Sequence, residues 1–357
     1  MSTAKTEAHD QPAVTGTDRM TLARRQVEGP VRIAGWLVLL VVGYLMPGLL
    51  GGSTRIFTTF VLIAIFATMS YGVDIVLSYL GEVSLGHTLF WAAGAYTTAV
   101  MAVKVGWGPL TSLLAALAVT TLLALVLGLM TIRTREFIFS LVTYAAAVIG
   151  LTIVSNNTFL GGSDGLVGVP LLKLPVIGGE YVARSGADLW PIAYVVVVLV
   201  ILLVARFRRS RLGTTALMAQ MNPSLATTLG VDVRRTRMMV FVLSAPVTAL
   251  AGWLYAYQRA YVSPDLLTPF FLLFMLTAVI LPGRRLLLGP LVGAAILTSQ
   301  QQLASFGGDV DKIILGGVLA GVLLLSPGGL IGIWRAIVRR RPGRPAAPSA
   351  AKTTNNH

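Results

Sequence analysis

Apolar residues in this chain do not alternate with polar ones; they run. Ten runs, over 33–50, 56–77, 87–103, 109–131, 137–155, 189–205, 238–258, 266–281, 289–304 and 312–333, carry almost no charge. Most approach or exceed the roughly 20 residues that a helix needs to cross a hydrocarbon core. The pattern predicts about ten transmembrane helices, an all-α polytopic membrane protein. Two intervening segments are too long to be simple connections. The stretch 156–188 contains NNTFLGGSDGLVGVP and reads as a surface loop with turns at Gly161–Gly162 and Asp164–Gly165. The stretch 206–237 has basic flanks around a centre suited to a short amphipathic helix, lying on lipid or docking a cytoplasmic partner. Within it, Asn222 is a favourable N-cap and Pro223 is tolerated in a first turn, while Gly230 can end a helix. These residues predict a short helix from about Asn222 to about Leu229. Leu217, Met221 and Leu225 follow one another at intervals of four, the spacing of anchors for a partner's groove.

Composition agrees with the pattern. Of 357 residues 55% are hydrophobic and only 12% charged, against about 25% charged in a soluble domain. The net charge of +14 raises the question of nucleic acid, and its distribution answers it. With the N-terminus in the cytoplasm and sides alternating, only Arg55, Lys104, Lys173, Arg184, Arg259 and Lys312 fall outside; the other 22 of 28 Lys and Arg fall inside. That is the positive-inside bias, with both termini cytoplasmic and no nucleic-acid partner expected. Residues 1–30 form a polar tail without the apolar core of a signal peptide. Residues 31–334 form the transmembrane domain. The tail over 335–357 opens on Arg335, Arg339, Arg340 and Arg341, suited to anionic headgroups of the bilayer, and ends in a disordered stretch.

Candidate chemistry is sparse. The chain has no cysteine and three histidines, His9, His87 and His357. It contains no GxxxxGK[ST] or HExxH motif, so neither nucleotide hydrolysis nor metal catalysis is expected of it. The exception is LGEVSLGHTLFWAAGAYT, Leu80 to Thr97, which places Glu82, Ser84, Gly86 and His87 between two apolar runs. A charged group at bilayer depth costs about 3 kcal/mol or more unless paired or hydrated. One reading is an inner turn with a hydrated Glu82 and a His87 that caps backbone; the other is a segment that dips inward and lines a cavity. Asp74 lies inside the preceding run, and Ser78 follows it at i,i+4 spacing on the same helix face.

The stretch GEVSLGHTLFWAAGAYTTA resembles the GQVSLGHxxFxxxGAY signature of the M-type membrane permeases of branched-chain amino-acid ABC importers. FLGGSDGLVGVP is similar to the family's TGGxxGLxGIP. LGVDVRRTRMMVFVLSAPVTALAGWLYAY is similar to LGIxxxRxKLxAFxxSAxxAGxAGxLYA, and SPDLL, GPLVGAAIL and SPGGLIG follow in the family's order. The likeness covers roughly residues 40–334. It implies a vitamin-B12-importer-like helical permease whose two halves of five spans form an inverted repeat, in the plasma membrane of a prokaryote. It also implies an H-type permease partner, two cytoplasmic ATPases that bind ATP and Mg, an extracytoplasmic solute-binding protein, and no cofactor in this chain. The implied cargo is branched-chain or related small amino acids or amides. The implied pathway residues are Asp74, Glu82, Ser84, Gly86, His87, Ser163 and Asp164. The ATPase-coupling loop would comprise Leu217, Met221, Asn222, Pro223, Leu225 and Gly230. The chain departs from the family at several points. Asp74 and Glu82 stand where Asn and Gln are usual, and Gln220, Met221 and Pro223 where Arg, Glu and Glu are common. The turn GGxGxxxGP reads PGRRLLLGP, with Pro282, Arg284 and Arg285. An alternative is a self-sufficient proton-coupled secondary transporter using Asp74, Glu82 and His87 as a relay.

Overall fold

In the computed structural model, the described residues are 38, 40–131, 134, 136–176 and 179–303, with scattered positions between 310 and 321. The tail over 1–30, most of the tenth predicted span and the tail over 335–357 lie outside them. The helices follow the apolar runs closely. A short helix, α1, covers Leu40–Leu49, within a compact unit that ends at Ser53. From Thr54 onward a second unit contains α2 (Thr54–Tyr79), α3 (His87–Val100, extended by a π-turn to Val105), α4 (Pro109–Thr131) and α5 (Glu136–Asn156). After the long outer loop come α6 (Gly186–Arg209), α7 (Arg211–Met221), α8 (Pro223–Thr228), α9 (Val233–Arg259), α10 (Pro269–Ile280) and α11 (Gly289–Leu303). Among the described residues, α2, α4, α5, α6 and α9 are long and apolar enough to cross a membrane.

The core is α2, flanked by α3 and α9. Every residue of α2 from Val61 to Tyr79 is buried, as expected of a helix apolar on all sides. Its polar side chains turn inward on the helix itself: Thr68 donates to Ala64 O (2.8 Å) and Ser70 to Phe66 O (2.8 Å). The outer helices invert the soluble pattern. On α4 the buried stripe is small or polar, Ser112, Ala116, Thr120 and Ala124 at four-residue intervals, while Leu114, Leu122, Leu129 and Met130 face outward. With lipid as the solvent, close packing rather than apolarity selects the inward face.

Two backbone contacts set how closely the core helices approach. A Cβ added at Gly252 of α9 would lie 2.3 Å from Trp91 O of α3, and one at Gly94 of α3 would lie 2.6 Å from Ala249 O of α9. No side chain larger than hydrogen fits at either position. Helix α9 runs as one element through Pro246, which the family-like segment places mid-span.

The loop over 156–188 corrects the all-helical expectation. Instead of turns alone it forms two 3-10 turns, Thr158–Leu160 and Gly162–Asp164, and then β1 (Leu166–Val167). A hairpin follows, β2 (Leu172–Val176) with β3 (Gly179–Ala183), in antiparallel register Leu172↔Ala183. β1 pairs antiparallel with β4 (Tyr261–Val262), which follows α9. Backbone groups in a segment this long need partners, and short ladders supply them. Helix α6 then starts in a capping box: Ser185 Oγ accepts from Asp188 N, and Asp188 Oδ2 accepts from Ser185 N (3.0 Å). Trp190, in the first turns of α6, is buried edge-on to Phe60 with ring centroids 5.6 Å apart.

Candidate functional site at the inner end of the bundle

The 78–86, 206–237 and 282–288 segments meet at one end of the bundle, here called the inner end. The stretch from Leu80 to Gly86 links α2 to α3 without regular structure, yet Leu80, Glu82, Ser84 and Gly86 are buried. Its backbone is satisfied by α5: Ser140 Oγ donates to Val83 O (2.6 Å), and Leu85 N donates to Thr143 Oγ1 (3.2 Å). Irregular backbone persists inside an apolar bundle because neighbouring helices supply these partners.

Each polar side chain singled out in the sequence has a specific neighbour. Glu82 is 9% exposed and forms an ion pair with Arg237, in the first turns of α9. It is not the hydrated carboxylate of a simple turn. His87 is fully buried: Nδ1 lies 2.8 Å from Ser84 Oγ and Nε2 lies 3.1 Å from Ser244 Oγ. Because Ser244 Oγ donates to Phe241 O (2.6 Å), it accepts from Nε2–H, and Nδ1 then accepts from the Ser84 hydroxyl. The ring therefore ties the 80–86 segment to α9. Asp74 is buried and accepts from Ser78 Oγ (2.6 Å), the i,i+4 pairing that the helix spacing implied.

A cluster at the end of α2 gathers residues to which the sequence assigned no role. Ser78 Oγ accepts from Arg285 N (3.2 Å), and Ser78 O accepts from Arg285 Nε (3.2 Å). Arg285 Nη2 donates to Gln220 Oε1 on α7 (2.8 Å), and Arg208 at the end of α6 donates to Arg285 O. Arg285 keeps a left-handed backbone (φ 65°), at the fourth position of the turn pattern GGxGxxxGP, where glycine is usual. That conformation costs a non-glycine residue about 1–2 kcal/mol, and the hydrogen bonds of the guanidinium offset it.

The segment 206–237 folds as two helices rather than one. Ser210 caps α7 by accepting from Gly213 N, and Asn222 caps α8 by accepting from Leu225 N (3.0 Å), with Pro223 at the first position. After the Leu229 cap, Gly230 turns the chain with φ 82°. The buried faces are Gly213, Ala216 and Ala219 on α7 and Ala226 on α8. Leu217 is partly buried, while Met218, Met221 (76% exposed), Leu225 (55%) and Leu229 (67%) form an exposed apolar row. Between this element and the 80–86 segment lies a cavity of about 330 Å³, lined by Gly81, Glu82, Gln220, Pro223 and Arg237 among others. Ser163 and Asp164 are exposed in the outer loop, where Tyr261 donates to Asp164 O (2.9 Å).

The interacting residues that sequence reading left unpaired are Arg237, Arg285 and Gln220. A signal existed. Glu82 replaces a usual Gln, and Arg237 holds the position of a usual Lys; Gln220 and Arg285 were both visible as departures. Only the fold shows that they meet.

Comparison with known proteins extends this picture. The chain is 25% identical to the high-affinity branched-chain amino acid transport system permease protein LivM of Escherichia coli (strain K12), over 86% of this chain and 76% of that protein. The LivM protein of Salmonella typhimurium is 24% identical over similar shares, 86% and 77%. A probable branched-chain amino acid transport permease protein LivH of Methanocaldococcus jannaschii is 29% identical over 41% of this chain and 49% of its own length. The family model described as branched-chain amino acid transport system / permease component matches residues 55–326. These residues hold every span from α2 to α11, the buried 80–86 segment and the α7–α8 element, and the chain belongs to that family of membrane transport subunits.

Proposed function

We propose that this chain is the M-type subunit of an ATP-driven importer, forming one side of a translocation path for branched-chain or related small amino acids or amides. The observation that carries the proposal is the exposed apolar row Met218, Met221, Leu225 and Leu229 on α7–α8, at the inner end of a bundle built for the membrane. Such a row is poorly suited to water and suits a groove on a separate ATPase. The reading assigns ATP and Mg to two such ATPases, pairs this chain with an H-type permease, and receives cargo from an extracytoplasmic binding protein. Docking rests on apolar burial, at about 25 cal/mol per Å² removed from water, with Asn222, Pro223 and Gly230 holding the shape of α8. In this reading the path runs from the outer turn at Ser163 and Asp164 to the inner segment around Glu82. Ser84 and His87 tie that segment to α9, Gly86 lets it lie against Thr143, and Asp74 pairs with Ser78 at the end of α2. In a strain lacking its own importer, this chain expressed with its partner subunits should restore uptake of labelled leucine. Leu225→Asp should abolish both that uptake and co-purification of the ATPase while leaving the permease inserted. Undiminished co-purification with the aspartate variant would rule out α8 as the docking element.

The same reading gives ten spans in a vitamin-B12-importer-like inverted repeat over 31–334, in a prokaryotic plasma membrane. The tails over 1–30 and 335–357 are both cytoplasmic. The distribution of Lys and Arg supports it, as does the meeting of the 78–86, 206–237 and 282–288 segments at one end. Reporter fusions after Gly165 and at His357 should report opposite sides of the membrane. The same side for both is incompatible with ten spans.

A further inference from the structure

We propose that Arg285 and Gln220 are positioning residues that clasp the α7–α8 element to the end of α2 and to the α10–α11 turn, so that these segments move together. The inference rests on the reading of α7–α8 as the ATPase-docking element. It starts from the number of segments that one guanidinium joins. Arg285 Nε reaches the carbonyl of Ser78 and Nη2 reaches Gln220 Oε1, while its own peptide group is held by Ser78 Oγ on one side and Arg208 on the other. A planar fork places donors on separate nitrogens in fixed directions, which suits two acceptors on different elements better than the single ammonium of a lysine.

The opposite face of the Gln220 amide is equally constrained. Gly81, in the left-handed region at φ 72°, leaves room for it: a Cβ there would lie 2.7 Å from Gln220 Nε2. The amide is thus seated between the turn that ends α2 and the guanidinium from the α10–α11 turn. Arg285 occupies a left-handed position that favours glycine, so the side chain is present against a local conformational cost. Gln220 stands where the family pattern commonly has a charged residue. Two departures that look unrelated along the chain, 65 residues apart, are one contact in the fold. Movement of α7–α8 under a docked ATPase would therefore reach α2 and the α10–α11 turn directly, beyond what passes along the backbone into α9.

The chain contains no cysteine, so paired spin labels can be introduced without removing any. Labels at Thr227→Cys on α8 and Arg284→Cys in the α10–α11 turn should give a narrow distance distribution in the otherwise unaltered full chain. Gln220→Leu or Arg285→Ala should broaden it at least twofold. Gln220→Glu, which keeps an acceptor, should not, and a control pair at Thr111→Cys and Ser163→Cys should stay narrow throughout. In the complete transporter, Gln220→Leu should lower labelled leucine uptake per ATP hydrolysed about tenfold with the ATPase still bound. Unchanged distances in both Gln220→Leu and Arg285→Ala overturn the proposal, as does a broadened distribution with an unchanged uptake-to-hydrolysis ratio. Broadening of the control pair as well would mark a general loss of structure and also overturn it. Leu225→Asp tests docking separately: if docking fails that test, the distance measurement still decides whether the clasp exists.

Discussion

Arg237→Ala, with Glu82 in place, is expected to destabilise the protein by about 3–5 kcal/mol, the usual cost of stranding one member of a buried ion pair. Both side chains are mostly enclosed, 13% exposed for Arg237 and 10% for Glu82, so water from the adjoining cavity replaces the lost partner only in part. The carboxylate sits in a segment whose backbone depends on Ser140 and Thr143 of α5, and its displacement would disturb those contacts as well. Glu82→Gln should cost less, about 1–2 kcal/mol, because an amide oxygen still accepts from the guanidinium, although the Arg237 charge then faces a dipole instead of a carboxylate. The pair Glu82→Gln with Arg237→Lys reproduces the residues usual in the family pattern and should recover most of the loss. Unfolding in detergent for the single and double variants gives the coupling energy directly. If Arg237→Ala and Glu82→Ala each cost under about 0.5 kcal/mol, the pair is a surface contact in all but appearance.

Gly252→Val should abolish accumulation of the folded protein, and Gly252→Ala should already cost about 3 kcal/mol, the upper end of overpacking effects. The reason is that the obstruction is backbone. The added Cβ would sit 2.3 Å from Trp91 O and 2.8 Å from Ala95 N, and neither can rotate away as a side chain could. Relief requires α3 and α9 to separate along the crossing that defines the core. Gly108→Ala is the matched control, since nothing lies within 4 Å of a Cβ there, and it should fall within about 0.5 kcal/mol of the parent. Yield and monodispersity after detergent extraction, followed by thermal unfolding, separate the cases. A Gly252→Val protein as stable as its parent would mean that the helices do not cross this closely.

The spans were legible because they depend on one local property, the length of apolar sequence. The runs at 109–131, 137–155 and 289–304 match α4, α5 and α11 to within a residue or so at each end. The short helix after Asn222 was legible for a similar reason, since cap, proline and glycine act within a few residues of one another. The outer loop was not, because β1 finds its partner β4 about 95 residues later, and no local pattern encodes that pairing.

What the sequence determined by itself was the class of solvent, the limits of most of the described helices, and the capping of α8. All of these follow from composition and short-range periodicity. Partnership was decided by tertiary structure alone. Glu82 could have been hydrated until Arg237 was brought to it from α9, and Arg285 read as an anomaly until Ser78 and Gln220 surrounded it. His87, equally suited on paper to a proton relay, is held between Ser84 and Ser244 in the packed core. A side chain's type states which bonds it can make. Which of them it makes depends on helices that are distant in sequence and brought within about 3 Å by the close packing of α2, α3 and α9.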